Sequence, residues 1–213
     1  MIVVSACFRA ETAWIPPLPD LRVMHTPVGK SAARALESGL NRLLPSTPTL
    51  VLSTGFCGGL VPSLHSGKLV LAETIHDGEE TIPIDSTLLT SAKDALRASG
   101  FDFACGPIES LDRVAQTKEE KQRLQTEGAI AVDMESGPLA RWTKERRIRF
   151  LSLRAVLDPV EKELPFAAGE PLLRSVLRHP LAALTVVLPV IRAGRAIGRA
   201  IPAVASGLKE GLK

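Results

Sequence analysis

Asp133 and Glu135 stand on either side of Met134, where the apolar segment Gly128-Ala129-Ile130-Ala131-Val132 runs into a helical pattern from Gly137 to Arg147. Alternate side chains of an extended backbone share a face, so both carboxylates fall on one side and one of them can face a pocket. An ionised carboxylate accepts two hydrogen bonds at once and can grip a vicinal diol. The competing reading is a helix entrance, where acids complement the positive end of the helix dipole. A second candidate is Gly55-Phe56-Cys57-Gly58-Gly59. Glycines just past a strand let the backbone approach a ligand and turn N–H groups toward it, although such a run can also be a plain turn.

These residues need elements to hold them. Ile2 to Cys7 is a continuous apolar run suited to a strand buried on both faces, and Phe8-Arg9-Ala10-Glu11 leaves it. Ile15-Pro16-Pro17-Leu18-Pro19 cannot be helix interior. Leu21 to Thr26 reads as a strand, and Ser31 to Leu44 as a helix apolar at Ala32, Ala35, Leu36, Leu40 and Leu43 and stopped by Pro45. Further strands are expected at Thr49–Leu52, Lys68–Ile75, Phe103–Leu111 and Phe150–Val156, and helices at Asp85–Ser99 and Thr117–Thr126, the latter charged and read as a solvated face. Such alternation predicts an α/β layered domain with a mostly parallel sheet, whose ligands collect at the carboxyl ends of the strands. Glu11, Gly55, Glu135 and Asp158 all fall at or just after such ends.

Composition narrows the classes. Hydrophobic residues make up 45% and charged ones 23% of 213 residues, enough for one domain with a substantial core. Aromatic content is 4% with no Tyr, which argues against sites built on stacking alone. Cys7, Cys57 and Cys105 are widely spaced and form no metal-ligand pattern. Cys7 and Cys105 lie in apolar runs and read as small buried hydrophobes in a reducing compartment. The start Met-Ile-Val-Val has no basic n-region, and no run reaches the roughly 18 to 20 apolar residues of a membrane span, so a cytoplasmic protein is expected.

Three stretches, taken in order, resemble one family. Val132-Asp133-Met134-Glu135 is similar to the V-E-M-E motif of the nucleoside phosphorylase and methylthioadenosine/S-adenosylhomocysteine nucleosidase superfamily. Ser53-Thr54-Gly55-Phe56-Cys57-Gly58-Gly59-Leu60 resembles its N-T-G-x-x-G-G-L loop, and Arg154-Ala155-Val156-Leu157-Asp158 its R-x-x-S-D segment. The resemblance implies a three-layer αβα sandwich around a central mixed, mostly parallel sheet over residues 1–165, followed by a helical extension at 166–213. It implies no cofactor, no metal and no nucleic-acid partner, and a homo-oligomer. By the same resemblance Asp158 is the general acid that protonates the purine, Glu135 holds the ribose hydroxyls, and Glu11 activates the attacking water. Without the family, Glu11 reads first as a solvated first-turn acid.

The remaining binding positions follow from the same resemblance. Pro27-Val28-Gly29-Lys30 matches the family's G-x-G-K turn with Pro27 for the first Gly, which brings in Gly29. Met134 lies inside the diol motif, and Gly55, Phe56 and Gly58 inside the glycine-rich one. Val114 takes the place of a Phe that stacks on the purine, leaving stacking to another segment such as Phe56. Leu157 replaces the family's Ser before the acid, which removes a hydroxyl that helps fix Asp158. Phosphorylases of the family carry a G-x-P-x-R phosphate loop that is missing here, with Arg9 and Lys30 the early candidates for a phosphate clamp, so water is expected as the nucleophile.

The net charge of +3 belongs to the tail. From Arg174 onward, Arg174, Arg178, Arg192, Arg195, Arg199, Lys209 and Lys213 face one acid, Glu210. At 100° per residue Arg192, Arg195 and Arg199 share a face opposite Ile197, Ile201 and Leu208, a pattern suited to an anionic membrane surface or to an ordinary helix packed on the sheet or a partner. Pro189 and Pro202 are expected to interrupt any single long helix. A nucleosidase-like core with an apolar, basic tail is similar to the hopanoid-associated members of the superfamily, which implies adenosylhopane as substrate and attachment at the inner membrane.

Overall fold

The computed structural model describes residues 1–43, 48–115, 117–161 and 180–210. The expected domain boundary at residue 165, the bases Arg174, Arg178 and Lys213, and the helix stop at Pro45 lie outside them. Eight strands are described, β1 (Ile2–Ala6), β2 (Leu21–His25), β3 (Leu50–Gly59), β4 (Leu69–Asp77), β5 (Glu80–Pro83), β6 (Phe103–Ser110), β7 (Ala131–Asp133) and β8 (Arg149–Asp158). With them come six helices, α1 (Arg9–Thr12), α2 (Ser31–Leu43), α3 (Ser86–Ala98), α4 (Lys118–Thr126), α5 (Ser136–Glu145) and α6 (Pro180–Glu210).

The fold is the expected α/β class with a mixed, mostly parallel sheet. β1 runs parallel to β2 and β3, β3 to β8, β4 to β6, and β6 to β7, while β3–β7, β4–β5 and β4–β8 are antiparallel. The pairings β3–β7–β6–β4–β8–β3 close on themselves, so five strands form a ring with β1, β2 and β5 attached outside it. β1, the first half of β4 and nearly all of β8 are buried on both faces, as their unbroken apolar runs require. Around the sheet α2 packs with α5, and α1 and α3 pack with α6.

Three local expectations are corrected. The strand expected at Thr49–Leu52 does not open into a glycine loop: β3 continues through Gly59, paired with β8 as far as Gly58 opposite Asp158, with a register shift between Cys57 and Gly58. Glycine in a strand marks a bulge or a close approach, and both occur here. Cys7 lies just past β1 and is half-buried, as is Cys105. Finally, Pro189 and Pro202 lie inside one continuous helix. Each removes an N–H from the helix ladder, but Ile197, Ile201, Val204 and Leu208 recur at helical spacing and are fully buried, and that face holds the helix together.

The same packing decides where the basic tail lies. Of the two readings the tail's pattern allows, packing on the core accounts for the apolar face, which is covered by α1, α3 and β8. Gly198 meets the chain at Trp14 so closely that an added Cβ would fall 2.5 Å from the Trp14 carbonyl oxygen. Arg195 stacks over the Trp14 ring at 4.8 Å and Arg199 over Phe101 at 5.6 Å. Among the described residues no helix is long and apolar enough to cross a membrane.

Candidate active site

β1 delivers the first acid. The chain leaves it at Cys7, turns into the single turn of α1, and buries Glu11 to 3% exposure. Its Oε2 accepts the backbone N–H of Cys7 at 2.8 Å and of Phe8 at 2.9 Å, and its Oε1 that of Phe56 at 3.0 Å. Glu11 is therefore not a solvated surface acid. Burial raises its pKa from the usual carboxylate range against the pull of those three N–H groups and of Arg154.

Gly55 explains the glycine in β3. It holds φ at +145°, and a Cβ there would lie 2.7 Å from Glu11 Oε1 and 2.8 Å from Arg154 Nη1. The residue is a gap through which two buried charges approach the strand, rather than a loop that wraps a ligand.

β7 and the start of α5 bring the pair around Met134, and the two readings of that pair divide between its members. Asp133 takes the helix entrance, its Oδ1 accepting the Ser136 N–H at 3.2 Å and its Oδ2 bonded by the Ser136 hydroxyl. Glu135 sits at the N-cap position without a side-chain bond to its own helix. Instead its Oε1 accepts the Gly29 N–H at 3.4 Å and its Oε2 lies 3.6 Å from Arg154 Nη1. Burial pushes the Glu135 pKa upward, opposed by Arg154 and assisted by Asp133 and Glu11.

Arg154, one strand away on β8, ties these groups together. Its Nε lies 2.8 Å from Asp133 Oδ2, its Nη2 donates to Ser53 Oγ at 2.8 Å and Ser136 Oγ at 3.0 Å, and its Nη1 donates to the Thr54 carbonyl at 3.1 Å. Ser152 completes the group at 2.8 Å from Ser136 Oγ. A buried guanidinium needs this many acceptors to offset desolvation.

Asp158 ends β8. Its Oδ2 lies 2.6 Å from Lys121 Nζ, with Lys121 only 1% exposed. Burial raises the Asp158 pKa to about 6, with Lys121 pulling the other way. This corrects the reading of α4 as a wholly solvated helix. Lys121 and Leu124, three residues apart, share its buried face, and that spacing was the available signal. Arg154 was visible only as a motif letter, and neither its hub role nor that of Ser136 has a sequence signature.

The three acids meet in one cleft of about 220 Å³, lined by Glu11, Glu135 and Asp158 together with Phe8, Val28, Phe56, Cys57, Gly58, Arg113, Val114, Ala115, Val132, Asp133, Met134 and Leu157. Gly55 and Gly29 stand behind it, against Glu11 and Glu135. Among the described residues the buried charged side chains are four acids, Glu11, Asp133, Glu135 and Asp158, and two bases, Lys121 and Arg154. A fully ionised cleft therefore carries excess negative charge and favours a ligand that develops positive charge. The two candidate clamp cations are elsewhere: Arg9 is exposed, and Lys30 is exposed and paired with Asp112 at 3.1 Å. Among the described residues no cluster of His, Cys, Asp and Glu could hold a metal. A larger cleft of about 630 Å³ near the starts of β1, β3 and β8 is lined by Arg146, Arg147, Arg149 and Lys209 and contains none of these acids.

The class that this fold and site define is matched by a family model, that of the Phosphorylase superfamily, over residues 22–176. The chain belongs to that superfamily. Among solved structures it is similar to the 5'-methylthioadenosine/S-adenosyl homocysteine nucleosidase of Helicobacter pylori, with 18% identity over 96% of this chain and 97% of that one and a TM-score of 0.75. Futalosine hydrolase of the same organism gives the same identity, coverage and score. The corresponding nucleosidase of Neisseria meningitidis gives 16% identity, 96% and 97% coverage, and 0.74. At these identities the likeness is one of fold. Glu11 precedes the segment that the family model matches, so its place rests on the geometry above.

Proposed function

We propose that the chain hydrolyses the N-glycosidic bond of a purine nucleoside. The observation that carries this reading is the convergence of Glu11, Glu135 and Asp158 on one cleft with excess negative charge. In this reading the purine lies toward Asp158, between Phe56 and Val114, and takes a proton from Asp158 as the bond to the sugar breaks. Glu135 accepts hydrogen bonds from the ribose 2′- and 3′-hydroxyls, and its negative charge stabilises the oxocarbenium-like sugar. Glu11 takes the proton of the attacking water, whose oxygen forms the new bond to the anomeric carbon. Met134, Gly58 and Gly29 shape the sugar side.

Water is favoured over phosphate because a phosphate dianion needs a cationic clamp. Arg113, the cation in the cleft wall, is already paired with Glu120.

For the substrate, we read a nucleoside with a bulky apolar 5′ group, adenosylhopane, converted to ribosylhopane and adenine. Phe8, Val28 and Val114 are exposed apolar side chains at the cleft, and they suit a lipid better than a small polar tail. With the apolar face of α6 spent on packing, contact with an anionic membrane would rest on the exposed Val187 and Leu188 and the outward Arg192. The reading includes self-association at the cytoplasmic face. The test is adenine release from adenosylhopane-containing vesicles, with and without phosphate, beside 5′-methylthioadenosine and futalosine. Faster turnover of a soluble nucleoside moves the assignment to the activities named for the similar structures. Strict dependence on phosphate makes the chain a phosphorylase, and no turnover of any purine nucleoside leaves a purine-binding scaffold.

A further inference from the structure

We propose that Lys121 is the positioning residue for Asp158, fixing one carboxylate oxygen and setting the protonation state in which this acid meets the purine. The inference rests on the nucleosidase reading above. It starts from a deficit: Leu157 puts a hydrocarbon where the preceding residue could have offered Asp158 a hydroxyl. The bond comes from α4 instead. Lys121 Nζ lies 2.6 Å from Asp158 Oδ2 and donates to the Pro159 carbonyl at 3.3 Å, so it spans the turn that ends β8.

Burying an ammonium is costly unless it is paired and hydrogen-bonded, and a solvated lysine one turn away would tie α4 down at no such cost. The pairing has a chemical consequence. With Oδ2 held, the proton for the purine travels on Oδ1. The O–H bond breaks as the purine nitrogen gains the proton, and the carboxylate left behind is already matched by the ammonium. Burial drives the Asp158 pKa up and Lys121 draws it down, to about 6. The other charged or titratable groups lining the cleft with Asp158 are Cys57 from β3, Glu11 from α1, Arg113 with its partner Glu120, and Asp133 and Glu135 from the β7–α5 turn.

A purely structural clamp and a positioning residue differ in what they move. Lys121→Met removes both charge and hydrogen bond, whereas Lys121→Gln removes the charge and keeps a donor. In the full chain, free adenine from 5′-methylthioadenosine is followed across pH, and the Asp158 carboxyl carbon is titrated by ¹³C NMR, assigned with Asp158→Asn. Both the alkaline limb of kcat/KM and the Asp158 midpoint should rise by about 1 pH unit or more in both variants. The kcat should fall about 10-fold or more in Lys121→Met, with partial recovery in Lys121→Gln. Folded variants with the limb and midpoint of the wild type overturn the proposal. If neither variant folds, the wild-type titration decides alone: a midpoint near 6 supports it, and one above about 8, as burial without a cation produces, overturns it. A wild type that releases no adenine from any purine nucleoside defeats the nucleosidase reading, while the titration still decides what Lys121 does to Asp158.

Discussion

Asp133 and Arg154 meet through a carboxylate oxygen and a guanidinium Nε 2.8 Å apart, with both side chains shielded from solvent. The pair holds Arg154 against Glu135, so a defect in it should reach the sugar site. Removing one partner of a buried ion pair typically costs about 3 to 5 kcal/mol. Arg154→Met should lower stability by that order in a denaturant titration. The milder Asp133→Asn keeps an acceptor for the Ser136 N–H and should raise KM for the nucleoside more than it lowers kcat. An unchanged KM in a folded Asp133→Asn enzyme would separate Arg154 from the sugar.

Gly55→Ala tests the gap in β3. The new methyl group has Glu11 Oε1 at 2.7 Å and Arg154 Nη1 at 2.8 Å, on a backbone at φ +145°. Strain of this kind costs about 1 to 3 kcal/mol, and displacement of Glu11 adds a kinetic loss of about 100-fold. Thermal denaturation and adenine release measured on one preparation would show both. Normal activity would mean that Glu11 need not sit where it does.

The pH dependence follows from two acids in opposite roles. Asp158 acts when protonated, so kcat/KM should fall as pH rises through about 6. Glu11 acts when ionised, and its raised pKa moves the acid limb upward. Glu135, pushed up to about 7 by burial, must be ionised as well, so the result is a narrow bell centred between about 6 and 7, and a plateau extending to about pH 9 would contradict it. Stability carries the same signature. The folded-state pKa of Asp158 lies above its ordinary 3.8, so its contribution is fully present below that value and is lost as pH rises through about 6. The loss is at most about 3 kcal/mol, and Asp158→Asn should flatten that part of the stability profile.

The apolar runs that became β1, the first half of β4 and β8 were readable because strands buried on both faces need unbroken hydrophobic residues. Glu135 and Asp158 were readable because their motifs sit where strands end. Ring closure by β4 and β8 was not, since pairing between distant strands leaves no local pattern. Lys121 was hidden because a lysine among Glu119, Glu120 and Gln122 looks solvated. The tail left two readings open for a related reason: a basic amphipathic helix has one hydrophobic pattern whether its apolar face meets lipid or α3 and Trp14.

That docking is open to test. Gly198→Val would drive a side chain into Trp14 and should cost about 2 kcal/mol or more by overpacking, read as a lowered Tm. Wild-type stability in the variant would mean that α6 does not pack on Trp14. If exposed Val187 and Leu188 contact lipid, Val187→Glu with Leu188→Glu should abolish sedimentation with anionic vesicles without lowering turnover of a soluble nucleoside.

The convergence of three acids on one ribose is tested most directly by a single hydrolysis in ¹⁸O-water without phosphate. The nucleosidase reading predicts free adenine and a sugar carrying one ¹⁸O at the anomeric carbon, with the signal lost in Glu11→Gln and Asp158→Asn. Absence of the label in the sugar, or full activity in either variant, would contradict it.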